Sequence, residues 1–258
     1  MNFFSFNWLQ PLGKRIKEEV FTKEQPYMKI WSIISPVLLY YAVNVIFALL
    51  MGRLSILIGT AVVFPFFLSE KAVVKLPPLH KKDIPLLFIL GAVAALCLNI
   101  LFALLGIIGS SGEYAEVAQK QFSLPLWAGI LMYGVIAPFA EEVVFRGIVY
   151  NRLDRFYGRI IAIIGSALLF GVYHGNIVQA LYGFILGVLI AVLYERYGSF
   201  VVPVLIHSAA NICVYIVSSD VMLQQKFMNW TGCIACGILA IVLFWLLVLR
   251  KENKKRNG

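Results

Sequence analysis

Six polar residues stand out because they interrupt otherwise apolar stretches of the chain. They are Glu141, Glu142, Arg146, His174, His207 and Asn211. A charged side chain at the centre of a bilayer costs about 2.5–3.5 kcal/mol or more, so such residues are rare and indicate a functional site. Because these acids, histidines and amide occur on separate hydrophobic segments, they resemble the parts of one reaction centre.

The two adjacent glutamates have different partners available on a helix. Glu142 and Arg146 are four residues apart, so they can pair on one helical face. Glu141 is rotated by about 100° from its neighbour. One carboxylate can therefore be held by the arginine while the other faces a polar cavity as a general base, and spacing alone does not decide which. Pro138 lacks an N–H and frees a backbone carbonyl one turn earlier, which favours a kink near the site. The structural alternative, a buried ion pair with one acid reaching the interface, leaves Glu141 without a partner.

Each histidine of this set shares a helical face with another notable residue. Phe170 and His174 are four residues apart, although His174 taken alone is equally compatible with an interfacial or core position. His207 and Asn211 have the same spacing and present hydrogen-bond donors of the kind that a developing oxyanion requires. The alternative for this pair is a polar contact between helices, worth about 0.6 kcal/mol.

The composition is typical of a membrane protein. The chain has 258 residues, of which 61% are hydrophobic and 14% charged, whereas a soluble domain has about 45–50% apolar and about 25% charged residues. The net charge of +9 does not indicate nucleic-acid binding, because the basic residues cluster in short loops and tails. That pattern is expected beside an anionic cytoplasmic leaflet.

Hydropathy predicts an all-α bundle of eight transmembrane helices, since about 20 apolar residues span a bilayer. The predicted spans are 30–51, 54–68, 84–108, 126–150, 160–173, 177–193, 200–217 and 231–249. They form one transmembrane domain, 30–249, between a cytoplasmic or interfacial segment, 1–29, and a basic cytoplasmic tail, 250–258. The second and fifth spans are short. The longest connection on the side away from the termini, 109–124, is polar enough to lie in water.

Loop charge predicts the orientation. With eight spans both termini lie on one side, which carries all Lys and Arg residues except Arg53, Lys120, Lys226 and the intramembrane Arg146. Because basic loops stay in the cytoplasm, both termini are expected there. We expect a multi-pass protein of the cell membrane, and specifically of a bacterial plasma membrane.

The four cysteines give no disulfide framework. Cys233 and Cys236 have C-x-x-C spacing, which could suggest redox or metal chemistry. Packing within apolar stretches is favoured for them and for Cys97 and Cys213, because no second Cys or His pair accompanies them.

Three motifs occur in one order on three spans. They are E-E-x-x-x-R at 141–146, F-x-x-x-H at 170–174 and H-x-x-x-N at 207–211. This arrangement resembles the type II CAAX prenyl protease and bacteriocin-processing (Abi, or CPBP) family of intramembrane proteases. The resemblance covers about 126–218 and leaves out the first three spans and the last. Any one motif is weak, but three in order are specific.

The resemblance implies an all-helical membrane fold, a cavity reached from the membrane or the cytoplasm, and peptide hydrolysis. By position, Glu141 would be the base that activates water, assisted by His174. His207 and Asn211 would stabilise the oxyanion, while Glu142 and Arg146 would support the site. The implied protein is a glutamic endopeptidase whose partners are membrane lipids and a membrane-associated peptide, prenylated in some relatives.

Other chemistries remain open at this point. Glu141, His174 and His207 are suitable zinc ligands by type, but the chain has no H-E-x-x-H and we expect no cofactor. A non-proteolytic scaffold or bacteriocin-immunity protein is one alternative, and a proton-coupled transporter using Glu141 and His174 as a relay is another. No inverted repeat is evident and no motif position is missing, which favours an enzyme.

Overall fold

The computed structural model describes residues 25–70 and 79–256, with side chains up to 249. These residues form helices and connections without any strand. In chain order the helices are α1 Pro26–Met51, α2 Ser55–Ser69, α3 Asp83–Leu104, α4 Gly112–Phe122, α5 Leu126–Tyr157, α6 Arg159–Tyr173, α7 Ile177–Tyr197, α8 Val201–Ser219, α9 Val221–Phe227 and α10 Trp230–Arg256. The predicted all-α membrane fold is confirmed. Most of the predicted N-terminal segment 1–29, and Lys71 and Lys75, lie outside the described residues.

The described chain has six segments long and apolar enough to cross a membrane, rather than eight. All eight predicted spans are helical, but α1 and α2 belong to one apolar stretch of 44 residues, Pro26–Ser69, which turns at Gly52 with φ of 56°. The fifth predicted span is α6, with 15 residues. A helix of that length extends about 22 Å, less than the hydrocarbon core of about 30 Å.

Two boundaries differ from the prediction in ways that affect the site. Helix α5 continues to Tyr157, beyond the predicted end at 150. The polar connection 109–124 contains α4, which was not predicted. Ser111 caps α4 by accepting a hydrogen bond from the Tyr114 backbone N–H at 3.2 Å. The segment is otherwise rich in Ala, Glu, Gln and Lys, which are good helix formers, so it folds as a short amphipathic helix.

Small residues allow the helices around α5 to approach closely. A Cβ at Gly134 of α5 would lie 2.4 Å from Ile212 Cγ1 of α8, and one at Gly171 of α6 would lie 2.5 Å from the Ala180 carbonyl oxygen of α7. Such close backbone contacts are typical of membrane helix packing. Helix α5 thereby lies in contact with α8, and α6 lies against α7.

The four cysteines meet where α3, α8 and α10 pack together, and all are free thiols. Cys97 Sγ is 3.5 Å from the Cys233 carbonyl oxygen, and Cys233 Sγ is 3.8 Å from the Cys97 carbonyl oxygen. Their neighbours are apolar residues such as Ile100. The cysteines thus fill space between helices, as small adaptable hydrophobic residues do.

Candidate active site

Helix α5 carries both glutamates at a change in its helical pitch. The α-helical turn Ala137–Glu142 lies between two π-helical segments, Ile130–Ile136 and Val143–Tyr150. Turns of π-helix are rare and occur frequently at functional sites. Pro138 is the second residue of the α-helical turn, and the helix continues through it with widened turns on both sides.

Glu142 is fully buried and fixed by two partners. Its Oε1 atom lies 2.8 Å from Arg146 Nη1 and 2.8 Å from His207 Nδ1. Arg146 also donates through Nη2 to the Gly187 carbonyl oxygen at 2.9 Å, and its guanidinium lies 5.0 Å from the centre of the Phe170 ring. The ion pair that the spacing predicts is therefore present, and it connects α5 to α7 and α8.

Glu141 points in a different direction, into a cavity. Its Oε2 atom lies 3.6 Å from His207 Nε2, and the carboxylate is close enough to the phenols of Tyr40 and Tyr173 to interact electrostatically with both. No ion pair with an arginine engages it among the described residues. Of the two acids, Glu141 is thus the one available to a molecule in the cavity.

The contacts of His207 determine the orientation of its ring. Glu142 Oε1 already accepts a hydrogen bond from Arg146 Nη1, so it serves as an acceptor toward His207 as well. His207 must therefore donate through Nδ1, which leaves Nε2 facing Glu141 and the cavity. That nitrogen accepts a hydrogen bond when the ring is neutral and donates one when it is protonated.

His174 lies in a tight turn between α6 and α7. Its Nδ1 donates to the Phe170 carbonyl oxygen at 2.9 Å, so Nε2 is left as an acceptor. Gly175 has φ of 76°, a conformation that glycine adopts without strain. Asn176 then caps α7 by accepting a hydrogen bond from the Gln179 N–H at 2.9 Å. The H-G-N sequence thereby fixes the imidazole at the end of a short helix.

The Phe170 ring separates the two histidines. It meets His174 edge to face at 4.9 Å between ring centres and His207 at 5.4 Å. Aromatic rings favour this arrangement. Phe170 therefore orients both imidazoles as well as covering Arg146.

Asn211 extends the site along α8. Its Nδ2 donates to the Tyr133 carbonyl oxygen of α5 at 2.9 Å. An amide nitrogen carries two protons, so one N–H remains for a ligand. Since His207 and Asn211 both contact α5, the predicted polar contact between helices is present in the same residues that the site requires.

Glu141, His174, His207 and Asn211 line one cavity of about 970 Å³. Glu142 and Arg146 lie behind its wall. Sequence reasoning missed several further polar lining residues, which are Tyr41, Asn44, Asn99, Tyr133, Tyr173 and Gln179. Asn44 and Asn99 could have been noticed as amides within apolar spans, whereas the tyrosines carry no comparable signal.

The described residues contain no group of three or more His, Cys, Asp or Glu side chains placed to hold a metal ion. The set Glu141, His174 and His207 is not one of these groups as arranged here. His207 and His174 donate through Nδ1 to Glu142 and to a backbone carbonyl, so Nε2 is the remaining nitrogen of each ring. Independence from metal stays a prediction.

The segment that carries every motif also matches a family of known proteins. Residues 123–213 match the model of the Rce1-like type II CAAX prenyl endopeptidase family. The resemblance inferred from the motifs is confirmed for this segment, which extends from just before α5 into α8. No curated protein and no solved structure matches the chain. The apolar helices together with the Rce1-like segment indicate a multi-pass membrane protein.

Proposed function

We propose that the protein is an intramembrane endopeptidase that hydrolyses a peptide bond with water activated by Glu141. One observation carries the proposal: Glu141, His174, His207 and Asn211 line a single cavity, while the neighbouring Glu142 is occupied by its buried partners. The Rce1-like match over 123–213 supports the same class of reaction.

Water activation requires an unoccupied base and an acceptor that orients the water. Glu141 takes a proton from water as the water oxygen attacks the carbonyl carbon of the peptide bond. His174 keeps Nε2 free because its Nδ1 is bonded to the Phe170 carbonyl oxygen. His174 thus accepts the second hydrogen of the same water and positions it.

The oxyanion of the tetrahedral intermediate requires donors in a water-poor site. As the carbonyl electron pair moves onto oxygen, the free N–H of Asn211 stabilises it, and His207 adds a second donor through Nε2 when its ring is protonated. Glu142 holds His207 Nδ1 at 2.8 Å and fixes the ring for this role. When the intermediate collapses, the C–N bond breaks and Glu141 returns its proton to the leaving amine, so the products are a carboxylate and an amine.

A short membrane-associated peptide suits this cavity. Ligand pockets measure about 300–1,000 Å³, so the volume of about 970 Å³ accommodates several residues in extended form. The family description makes a prenylated CAAX peptide the first substrate to test. Leader peptides and signal-peptide remnants are the further substrates to compare.

The test uses protein purified in detergent and mass spectrometry of the products. Wild-type protein is expected to cleave a prenylated CAAX peptide or a signal-peptide remnant at one bond. Glu141→Gln keeps the shape but removes the base, and should lower the rate by at least about 100-fold. Glu113→Gln, at an exposed acid of α4, is the matched control and should cleave as wild type does.

Three results would contradict the proposed function. Full cleavage by Glu141→Gln would remove Glu141 from the role of base. Binding of these peptides by wild-type protein without any cleavage would favour the scaffold or immunity alternative. Proton flux in liposomes that depends on Glu141 and His174 would favour the transporter alternative.

A further inference from the structure

The cavity extends from Glu141 and His207 to one end of the helical bundle. Its rim is formed by Gly52 and Arg53 in the turn after α1, and by α4, whose Lys120 is exposed. Exposed residues line the cavity there and also along α1, at Tyr41 and Val45. Because the rim carries the charged and exposed side chains of Arg53 and Lys120, this end lies on the aqueous side of the bundle. We refer to it as the open end.

The opposite end of the bundle is closed by packing and ion pairs. Residues Val143–Tyr150 of α5, which follow the two glutamates, are all buried. Farther along, Glu70 is only 2% exposed and binds Arg152 at 2.9 Å and also Arg155. Tyr150 donates to Glu195 at 2.7 Å. A peptide approaching from this closed end would have to break that network.

The rim of the open end is held in place by hydrogen bonds to the end of α4. Arg53 donates to the Lys120 carbonyl oxygen and, at 3.3 Å, to Ser123 Oγ. Tyr215 of α8 contacts the carbonyl oxygens of Gln121 and Leu124 at 3.3 Å each. Helix α4 is therefore a fixed part of the entrance.

The turn between α6 and α7 lies beside the cavity. Helix α6 extends only about 22 Å, so a span that starts at one surface of a hydrocarbon core of about 30 Å would place the turn His174–Gly175–Asn176 inside that core. Irregular backbone at that depth is tolerated only where it is buried in protein or lines a water-filled cavity. His174 lines the cavity and Asn176 is buried, so the turn meets this condition.

Charge distinguishes the two ends. The open end carries the basic residues Arg53, Lys120 and Lys226 together with the acids Glu113, Glu116 and Asp220. The closed end carries the basic residues Lys81, Lys82, Arg152, Arg155, Arg159 and Arg196 together with the acids Glu70, Asp83, Asp154 and Glu195, and the sequence adds the basic residues of both termini. Because Lys and Arg in short loops are retained in the cytoplasm, the closed end is the cytoplasmic one.

We propose that the site receives its substrate from the extracytoplasmic face of the membrane. The substrate class is then a peptide anchored in the outer leaflet, such as the remnant of an exported precursor, rather than a cytoplasmic C-terminus. The direction of access rests on the cavity and the charges alone. That the peptide entering the cavity is a substrate rests on the proposed function.

The test is the side from which a cysteine in the cavity can be modified. In a chain whose four native cysteines are replaced by serine or alanine, Gln179→Cys places one thiol on the cavity wall. Glu113→Cys marks the open end and Lys81→Cys the closed end, both at exposed positions. The probe is a membrane-impermeant, charged methanethiosulfonate added to intact cells or to inverted vesicles. Each variant must also elute as a single peak in size-exclusion chromatography, which shows that it is folded.

Gln179→Cys and Glu113→Cys should react in intact cells, whereas Lys81→Cys should react only in inverted vesicles. Modification of Gln179→Cys from the cytoplasmic side only, or from neither side, would overturn the proposal. So would reaction of Glu113→Cys in inverted vesicles only. The labelling is repeated with Glu141→Gln, which should leave it unchanged, so failure of the proteolytic function and failure of the access route give different results.

Discussion

Glu141 and Glu142 are neighbours in sequence, yet their surroundings differ completely. Glu142 shares one oxygen with Arg146 and His207, each at 2.8 Å, in a position without solvent exposure. Glu141 faces the cavity, with His207 Nε2 at 3.6 Å. The helical rotation of about 100° per residue produces this difference. The buried pair can hold the histidine in place, while the other carboxylate is left for chemistry.

Replacing each glutamate by glutamine should separate these roles. Glu142→Gln leaves Arg146 as a buried charge without a counter-ion, which costs about 3–5 kcal/mol, so its unfolding temperature in detergent should fall markedly. Glu141→Gln should unfold near the wild-type temperature and lose activity. A stable but inactive Glu142→Gln together with an active Glu141→Gln would reverse the assignment.

Chelation tests whether a metal takes part. The proposed mechanism already assigns the base, the water-orienting group and the oxyanion donors to side chains, so it requires no Lewis acid. Cleavage by purified protein should keep its rate after exhaustive chelation, and metal analysis should find no stoichiometric zinc. Loss of activity on chelation with recovery on adding zinc would support the metalloprotease alternative.

At the scale of the elements, the site depends on short helices and close crossings. The fifteen-residue α6 ends where the cavity begins and presents His174 there. It can do so because Gly171 allows its backbone to lie against that of α7. Helix α5 contributes two π-helical segments around the glutamates.

Gly171→Ala should therefore damage the site without touching a catalytic group. The added Cβ would lie 2.5 Å from the Ala180 carbonyl oxygen, so α6 must move away from α7. Overpacking of this kind costs about 1–3 kcal/mol, and the displaced His174 should lower the cleavage rate as well. Gly112→Ala, where a Cβ would meet nothing within 4 Å, is the control. Equal stability and activity of the two variants would show that the crossing is not critical.

At the scale of the whole molecule, the bundle has one open and one closed end. The ion pairs of Glu70 with Arg152 and Arg155 close the end rich in Lys and Arg. Helix α4 borders the open end. The side of the membrane that the open end faces therefore determines which peptides can enter the cavity.

Reporter fusions at the C-terminus test the orientation. Because the tail after 249 is basic, a fused green fluorescent protein should fluoresce in the cytoplasm, and a fused alkaline phosphatase should be inactive. An active phosphatase fusion with a dark fluorescent one would place the termini outside and would invert the access route.

Local sequence patterns determined the helices and the pairs within them. Apolar runs of span length predicted the bundle, and four-residue spacing predicted the contact of Glu142 with Arg146, since both follow from helical geometry. The amphipathic α4 was missed because its pattern is short and polar. What only the tertiary structure decided is how distant segments meet, as in the contact of His207 with Glu142, 65 residues away. The cavity and its open and closed ends likewise depend on how side chains of different helices fit together, which no local periodicity encodes.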